Sequence, residues 1–141
     1  MLIVFLFSRA WISSRAREDD DAETLLIRDY QAERINKMGQ SIAKALAFDV
    51  KQLQFSERIA MLCKVDLLTQ MVLEFPELQG IMGGYFSTHQ GFDKDISQAL
   101  TEQYLPVGID SKSPKKAFSV ALSVTDKIDT LVGFFGINEK P

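Results

Sequence analysis

Apolar residues recur at spacings of three and four along most of this chain. Ile35, Met38, Ile42 and Leu46 form one such stripe, with Arg34, Lys37 and Lys44 set between them, and this predicts an amphipathic helix over about residues 26–48. Asp49 interrupts the pattern. A second helix is predicted over about residues 51–75, with Ile59, Leu62, Val65, Leu67, Leu68 and Val72 along one side. Its further apolar residues, Met61, Met71 and Leu73, suit a central helix, and Pro76 ends or kinks it because proline disfavours the α conformation in the residue before it. A short helix over residues 77–82 meets Gly83 and Gly84, and the stretch from there to Gly91 reads as a loop. Ile96, Ala99, Leu100 and Tyr104 mark another amphipathic helix, capped near Asp93. After an irregular connection over residues 106–114, the last helix is predicted over about residues 114–135, with Pro114 in its first turn. Its stripe is Phe118, Ala121, Leu122, Val124, Ile128, Leu131, Val132 and Phe135. No segment alternates with a two-residue period over strand length, so the fold class is all-α, with about five helices.

Composition narrows the class without naming a function. At 141 residues, 46% hydrophobic and 25% charged, the chain is one ordinary globular domain, long enough to bury a core without disulfide or metal staples. The single cysteine, Cys63, cannot form an intramolecular disulfide and suits a reducing compartment. One cysteine and one histidine, His89, cannot supply the four ligands of a structural zinc site. With 16 Lys and Arg against 19 Asp and Glu, the net charge is −3, so any nucleic-acid contact must be local.

The N-terminal residues differ from the rest. Residues 1–7 form an apolar run too short to span a bilayer, without the charged start and small-residue cleavage pattern of a secretory signal. The first 17 residues carry Arg9, Arg15 and Arg17 and no acid, which echoes an organellar transit peptide; the alternatives are a segment that packs on the domain or a start created by truncation. The acidic run over residues 18–23 reads as a solvated linker or first helical turn, with a hard-cation site as the other reading.

Chemistry is sparse. Gly80, Gly83 and Gly84 follow a helix where a phosphate loop would have to open one, so they read as turn and close-packing glycines. His89 lies in the expected loop, Cys63 reads as a small core residue, and no catalytic constellation is visible.

Three ordered motifs are more specific. The first runs from Lys64 through Asp66, Leu67, Thr69, Met71 and Val72 to Glu74-Phe75-Pro76-Glu77-Leu78-Gln79-Gly80, then Met82-Gly83 and Tyr85. The second is Glu102-Gln103-Tyr104-Leu105-Pro106, and the third is Asp126-Lys127-Ile128-Asp129-Thr130-Leu131-Val132-Gly133-Phe134-Phe135. Their sequence and order resemble the beta subunit of the bacterial tetrameric glycyl-tRNA synthetase from about Glu33 onward. Residues 1–28 do not follow the family pattern and are set apart as a divergent N-terminal segment, leaving residues 29–141 as the domain. Gly84, Phe86 and Val124-Thr125 depart from the family pattern within it.

The resemblance implies an HD-like helical bundle, similar to phosphohydrolases that bind a metal through a His-Asp pair. Val65-Asp66 then occupies the His-Asp step and Asp126 the distal aspartate. The histidines are absent, so no metal site and no catalytic residue are expected in this chain, and an active metal-dependent phosphohydrolase is disfavoured. Asp66, Asp126 and Asp129 are instead expected to form a cross-helix polar cluster with Lys64 or Lys127, or in part to face tRNA. The family further implies recognition of the acceptor end of glycine tRNA during ATP-dependent aminoacylation. It implies partners in the alpha subunit and the rest of the beta subunit, two of each, in the cytoplasm and without a membrane. ATP and magnesium would be used by the alpha subunit, with no cofactor in this domain. Candidate tRNA contacts are Lys64, Lys112, Lys115, Lys116 and Lys127 for phosphates, with Tyr85, Phe86 or His89 for unpaired bases. The rival reading is a helical interaction module docking on the rest of the synthetase without touching RNA.

Overall fold

The computed structural model describes the backbone of residues 21–138 and the side chains of residues 29–138. The divergent segment 1–28, its targeting alternative and the acidic run lie outside the described side chains. Among the described residues there are six α-helices: α1 (Asp21–Ala45), α2 (Val50–Leu62), α3 (Gln70–Glu74), α4 (Ile81–His89), α5 (Lys94–Glu102) and α6 (Ala117–Gly136). Two 3-10 turns, Asp66–Leu68 and Pro76–Leu78, flank α3, and no strand occurs among these residues. The class is all-α.

Local chemistry accounts for the first corner. Backbone geometry turns at Ala47, whose φ of 58° lies in the left-handed region. Asp49 then opens α2 with a reciprocal cap: its carboxylate accepts from Gln52 N at 2.9 Å, and its own N–H donates to Gln52 Oε1 at 2.8 Å. The residue that interrupts the sequence pattern is therefore a helix start. The two long helices α1 and α6 run antiparallel, because Arg34 meets Asp129 while Gly39 faces Thr125. Ile35, Ile59, Ala60, Cys63, Ile96, Ala99, Leu100 and Leu122 close the core between α1, α2, α5 and α6. Phe118 seals one side against Phe48 and Phe55, with ring centroids 5.1 and 4.9 Å away.

Four sequence expectations are corrected. The helix expected over residues 51–75 is broken after Leu62, because Lys64 and Asp66 turn inward to polar partners and Thr69 starts a new helix. Thr69 Oγ1 donates to Asp66 O at 2.7 Å and accepts from Val72 N at 3.3 Å. The expected loop to Gly91 is instead α4. A Cβ on Gly84 would sit 1.8 Å from Thr101 Oγ1 and 2.8 Å from Ser97 O, so the glycine permits a helix–helix approach that offsets its poor helix propensity. Pro114 lies outside α6, which begins after Lys116. The stripe expected to be the core face of α6 holds only at its start: Val124, Ile128, Leu131, Val132 and Phe135 are exposed, while Thr125, Asp126 and Asp129 are buried. The polar side of this helix faces inward because ion-pair and hydrogen-bond partners wait there.

Candidate functional site

The motif residues converge on a sealed polar cluster. Lys64 follows the end of α2, is 4% exposed, and sits 2.7 Å from Asp126 of α6. Its ammonium also donates to Tyr104 Oη at 3.2 Å and to Gln103 Oε1 at 3.4 Å, and lies 4.4 Å from the centre of the Tyr104 ring. Burial pulls the Lys64 pKa down while Tyr104, Asp126 and Cys63 pull it up; the sum lies above the ordinary lysine value, so the ammonium stays charged. Burial also raises the neighbouring Tyr104 hydroxyl and Cys63 thiol, each to about 12. Cys63, 1% exposed, is thus a protonated core thiol.

Asp66 serves a different element. Its Oδ2 accepts from Gly80 N at 2.6 Å and Gly83 N at 3.2 Å, so a carboxylate from the preceding segment caps the N-terminus of α4. Gly80 takes φ +79° to make that turn, and a Cβ on Gly83 would stand 3.2 Å from the Asp66 oxygen. Burial raises the Asp66 pKa, and the bonds from Gly80 and Gly83 oppose the rise without cancelling it.

The expected cluster is therefore divided among four sets of partners, the cap made by Asp66 being the first. Asp126 pairs with Lys64. Asp129 forms a two-pronged bond with Arg34 of α1, at 2.8 and 2.9 Å, which holds α1 to α6. Lys127 turns to the connection after α5, donating to Tyr104 O at 3.2 Å, Leu105 O at 2.9 Å and Ser123 Oγ at 3.1 Å. Arg34, Gln103 and Tyr104 are partners that the sequence reading missed. For Gln103 and Tyr104 the signal was present, since both belong to the second motif. Arg34 stood beside the first matched residue and carried no mark of its own.

The remaining candidates lie on the surface. Tyr85 is 64% exposed on α4, its ring packed edge-on to Phe86 at 6.2 Å. With His89, Ile81 and Thr88 it lines one wall of an open groove of about 590 Å³, whose other wall is Lys94, Gln98 and Thr101 of α5. Lys112, Lys115 and Lys116 are exposed on the connection to α6, where Lys116 is paired with Asp95. The structure thus gathers Tyr85 and His89 at one groove and draws Lys64 and Lys127 into internal bonds. Among the described residues, no group of three or more His, Cys, Asp or Glu could hold a metal ion. No helix of these residues is long and apolar enough to cross a membrane.

Fold and cluster together define an all-α domain whose inward-facing acids are held by lysine, arginine and backbone N–H groups. The family model described as glycyl-tRNA synthetase beta subunit matches residues 28–141, and the chain belongs to that family. It is 43% identical over 111 residues to the glycine–tRNA ligase beta subunit of Rhodospirillum centenum, covering 79% of this chain and 16% of that protein. The corresponding subunit of Marinobacter nauticus is 44% identical over 108 residues, 77% of this chain and 15% of that protein. That of Psychromonas ingrahamii is 43% identical over 111 residues, again 79% and 16%. The chain spans about one sixth of the length of these relatives.

Proposed function

We propose that this chain contributes the acceptor-end contact of a glycyl-tRNA synthetase beta subunit during ATP-dependent aminoacylation of glycine tRNA. In this reading the chemistry of activation, with ATP and magnesium, belongs to the alpha subunit, and this domain positions RNA without catalysing a step. The supporting observation is the family membership over residues 28–141, which includes every residue of the cluster and of the groove.

Within the domain, the α4–α5 groove is the surface chemically suited to an unpaired nucleotide. Tyr85 offers a ring face, His89 and Lys94 offer donors for a phosphate, and Gln98 and Thr101 offer hydrogen bonds. Lys112 and Lys115 extend the basic side chains along the neighbouring connection. The internal bonds of Lys64 and Lys127 leave them positioning roles: one fixes α6, the other the chain leaving α5. A net charge of −3 means that the rest of the synthetase supplies most of the electrostatic attraction.

The test is crosslinking and equilibrium binding of a glycine-tRNA acceptor hairpin to the full chain, and to the chain assembled with the alpha subunit and the rest of a relative's beta subunit. Tyr85→Ala should weaken binding by the ~1–3 kcal/mol of one base stack. Lys112→Ala with Lys115→Ala should weaken it uniformly and flatten its salt dependence. Failure to crosslink within the complete assembly would reject the RNA contact while leaving family membership intact.

A further inference from the structure

Hydrogen bonds inside the α4–α5 groove decide which groups it offers to a ligand. The two helices run antiparallel: Ser87 Oγ donates to Ser97 Oγ at 2.8 Å, and Gly80 packs against Leu100 and Thr101. One end of the groove therefore holds His89 and Lys94, and the other Ile81 and Glu102, about 12 Å further along α5. The exposed ring of Tyr85 stands between them. Lys94 is exposed and has no ion-pair partner among the described residues, while the adjacent acids are engaged: Asp93 accepts from Asp95 N at 2.9 Å and Asp95 pairs with Lys116. This end suits a phosphate.

Beyond the basic end the groove is rich in acceptors. Thr88 Oγ1 spends its one hydrogen on Gly84 O at 2.8 Å, and Thr101 Oγ1 spends its own on Ser97 O at 2.9 Å, so both hydroxyls meet a ligand with lone pairs. Gln98 Nε2 donates to Glu102 Oε1 at 2.9 Å. A carboxylate only accepts, so Glu102 holds the amide group of Gln98 one way round, with its carbonyl Oε1 turned away and met by no donor among the described residues. Such a wall favours a base edge that donates. The exocyclic amino groups of cytosine and adenine do so, whereas uracil offers one N–H between two carbonyl oxygens that these acceptors would repel. Stacking on Tyr85 is tolerant of base identity and leaves the choice to the wall. We propose that the α4–α5 groove selects an unpaired cytidine or adenosine over uridine, and that Glu102 sets the choice by fixing the orientation of the Gln98 amide. This deepens the tRNA reading above and rests on it.

The test is titration of the isotopically labelled full chain with trinucleotides of cytidine, adenosine or uridine, following the backbone amide signals of Tyr85, Thr88 and Gln98 by nuclear magnetic resonance. Cytidine against uridine is the decisive comparison, because the two pyrimidines match in size. Cytidine should bind about threefold to tenfold more tightly, the worth of one hydrogen bond. Glu102→Gln keeps the shape of the side chain but frees the Gln98 amide to turn over, and should bring the ratio close to one. Gln98→Leu should lower cytidine binding to the level of uridine and leave uridine unchanged. The unsubstituted chain carries the first arm, so the test stands even if a variant fails to fold. Groove signals that move equally with cytidine and uridine would overturn the selection and leave the RNA contact standing. A preference that Glu102→Gln leaves intact would overturn the role given to Glu102. Groove signals indifferent to all three trinucleotides would reject RNA binding at the groove, and the selection with it.

Discussion

The ammonium of Lys64 and the carboxylate of Asp126 stand 2.7 Å apart, with 5% and 9% of their side chains exposed. This pair joins the end of α2 to the middle of α6. Lys64→Met should lower the unfolding free energy by about 3–5 kcal/mol, because Asp126 would then be buried without a counter-charge. Lys64→Met combined with Asp126→Leu should lose far less, since two apolar side chains of similar size carry no desolvation penalty. Urea denaturation of the two variants makes the comparison, and a double variant as unstable as Lys64→Met would show that the loss does not come from an unpaired buried acid.

Gly84 and Gly133 provide a matched contrast. Gly84→Ala would place a methyl group 1.8 Å from Thr101 Oγ1 and 2.8 Å from the Ser97 carbonyl. The backbone oxygen cannot rotate away, so α4 and α5 must separate, at about 1–3 kcal/mol. A Cβ on Gly133 meets nothing within 4 Å, and Gly133→Ala should be neutral or stabilising by up to about 1 kcal/mol through helix propensity alone. Thermal melting of both variants tests the difference.

The Cys63 thiol should resist alkylation in the folded chain at mildly alkaline pH and react at once in denaturant, because it is buried and its pKa is raised from 9.0 to about 12. The same shift predicts a stability slope. Between pH 9.0 and about 12 the unfolded thiol has lost its proton and the folded one has kept it, so stability falls as pH rises. Tyr104 and Lys64, whose folded pKa values are also raised, add to the fall at higher pH; Lys127, lowered chiefly by burial, acts in the opposite sense. Cys63→Ala should flatten the onset of this decline, read from urea midpoints measured across the alkaline range.

Asp66 predicts a slope at the acid end. Its pKa is raised from 3.8, so the folded chain binds its proton more tightly than the unfolded one, and this group's share of stability declines as pH rises through that window. Asp66→Asn should remove that share and reduce the helix signal of α4, because one acceptor for Gly80 and Gly83 is replaced by a neutral one. Circular dichroism against pH, with and without the substitution, checks both effects.

What the sequence by itself determined was the helical class, the helix over α5, the cap at Asp93 and the three motifs that mark the family. These rest on local periodicity, local capping and residue identity, all of which survive without knowledge of neighbours. Tertiary structure decided the rest. A run from Lys51 to Phe75 looks like one helix until Lys64 finds Asp126 and Asp66 finds the N–H groups of Gly80 and Gly83. Gly83 and Gly84 look like a loop until the closeness of Asp66 and Thr101 shows why a side chain cannot stand there. In α6 the apolar row and the row of Thr125, Asp126 and Asp129 compete for the interior, and the second prevails from Thr125 onward. The free energy of a buried acid depends on whether a cation or a donor stands opposite it, and that partner is far away in sequence: Arg34 is 95 residues from Asp129.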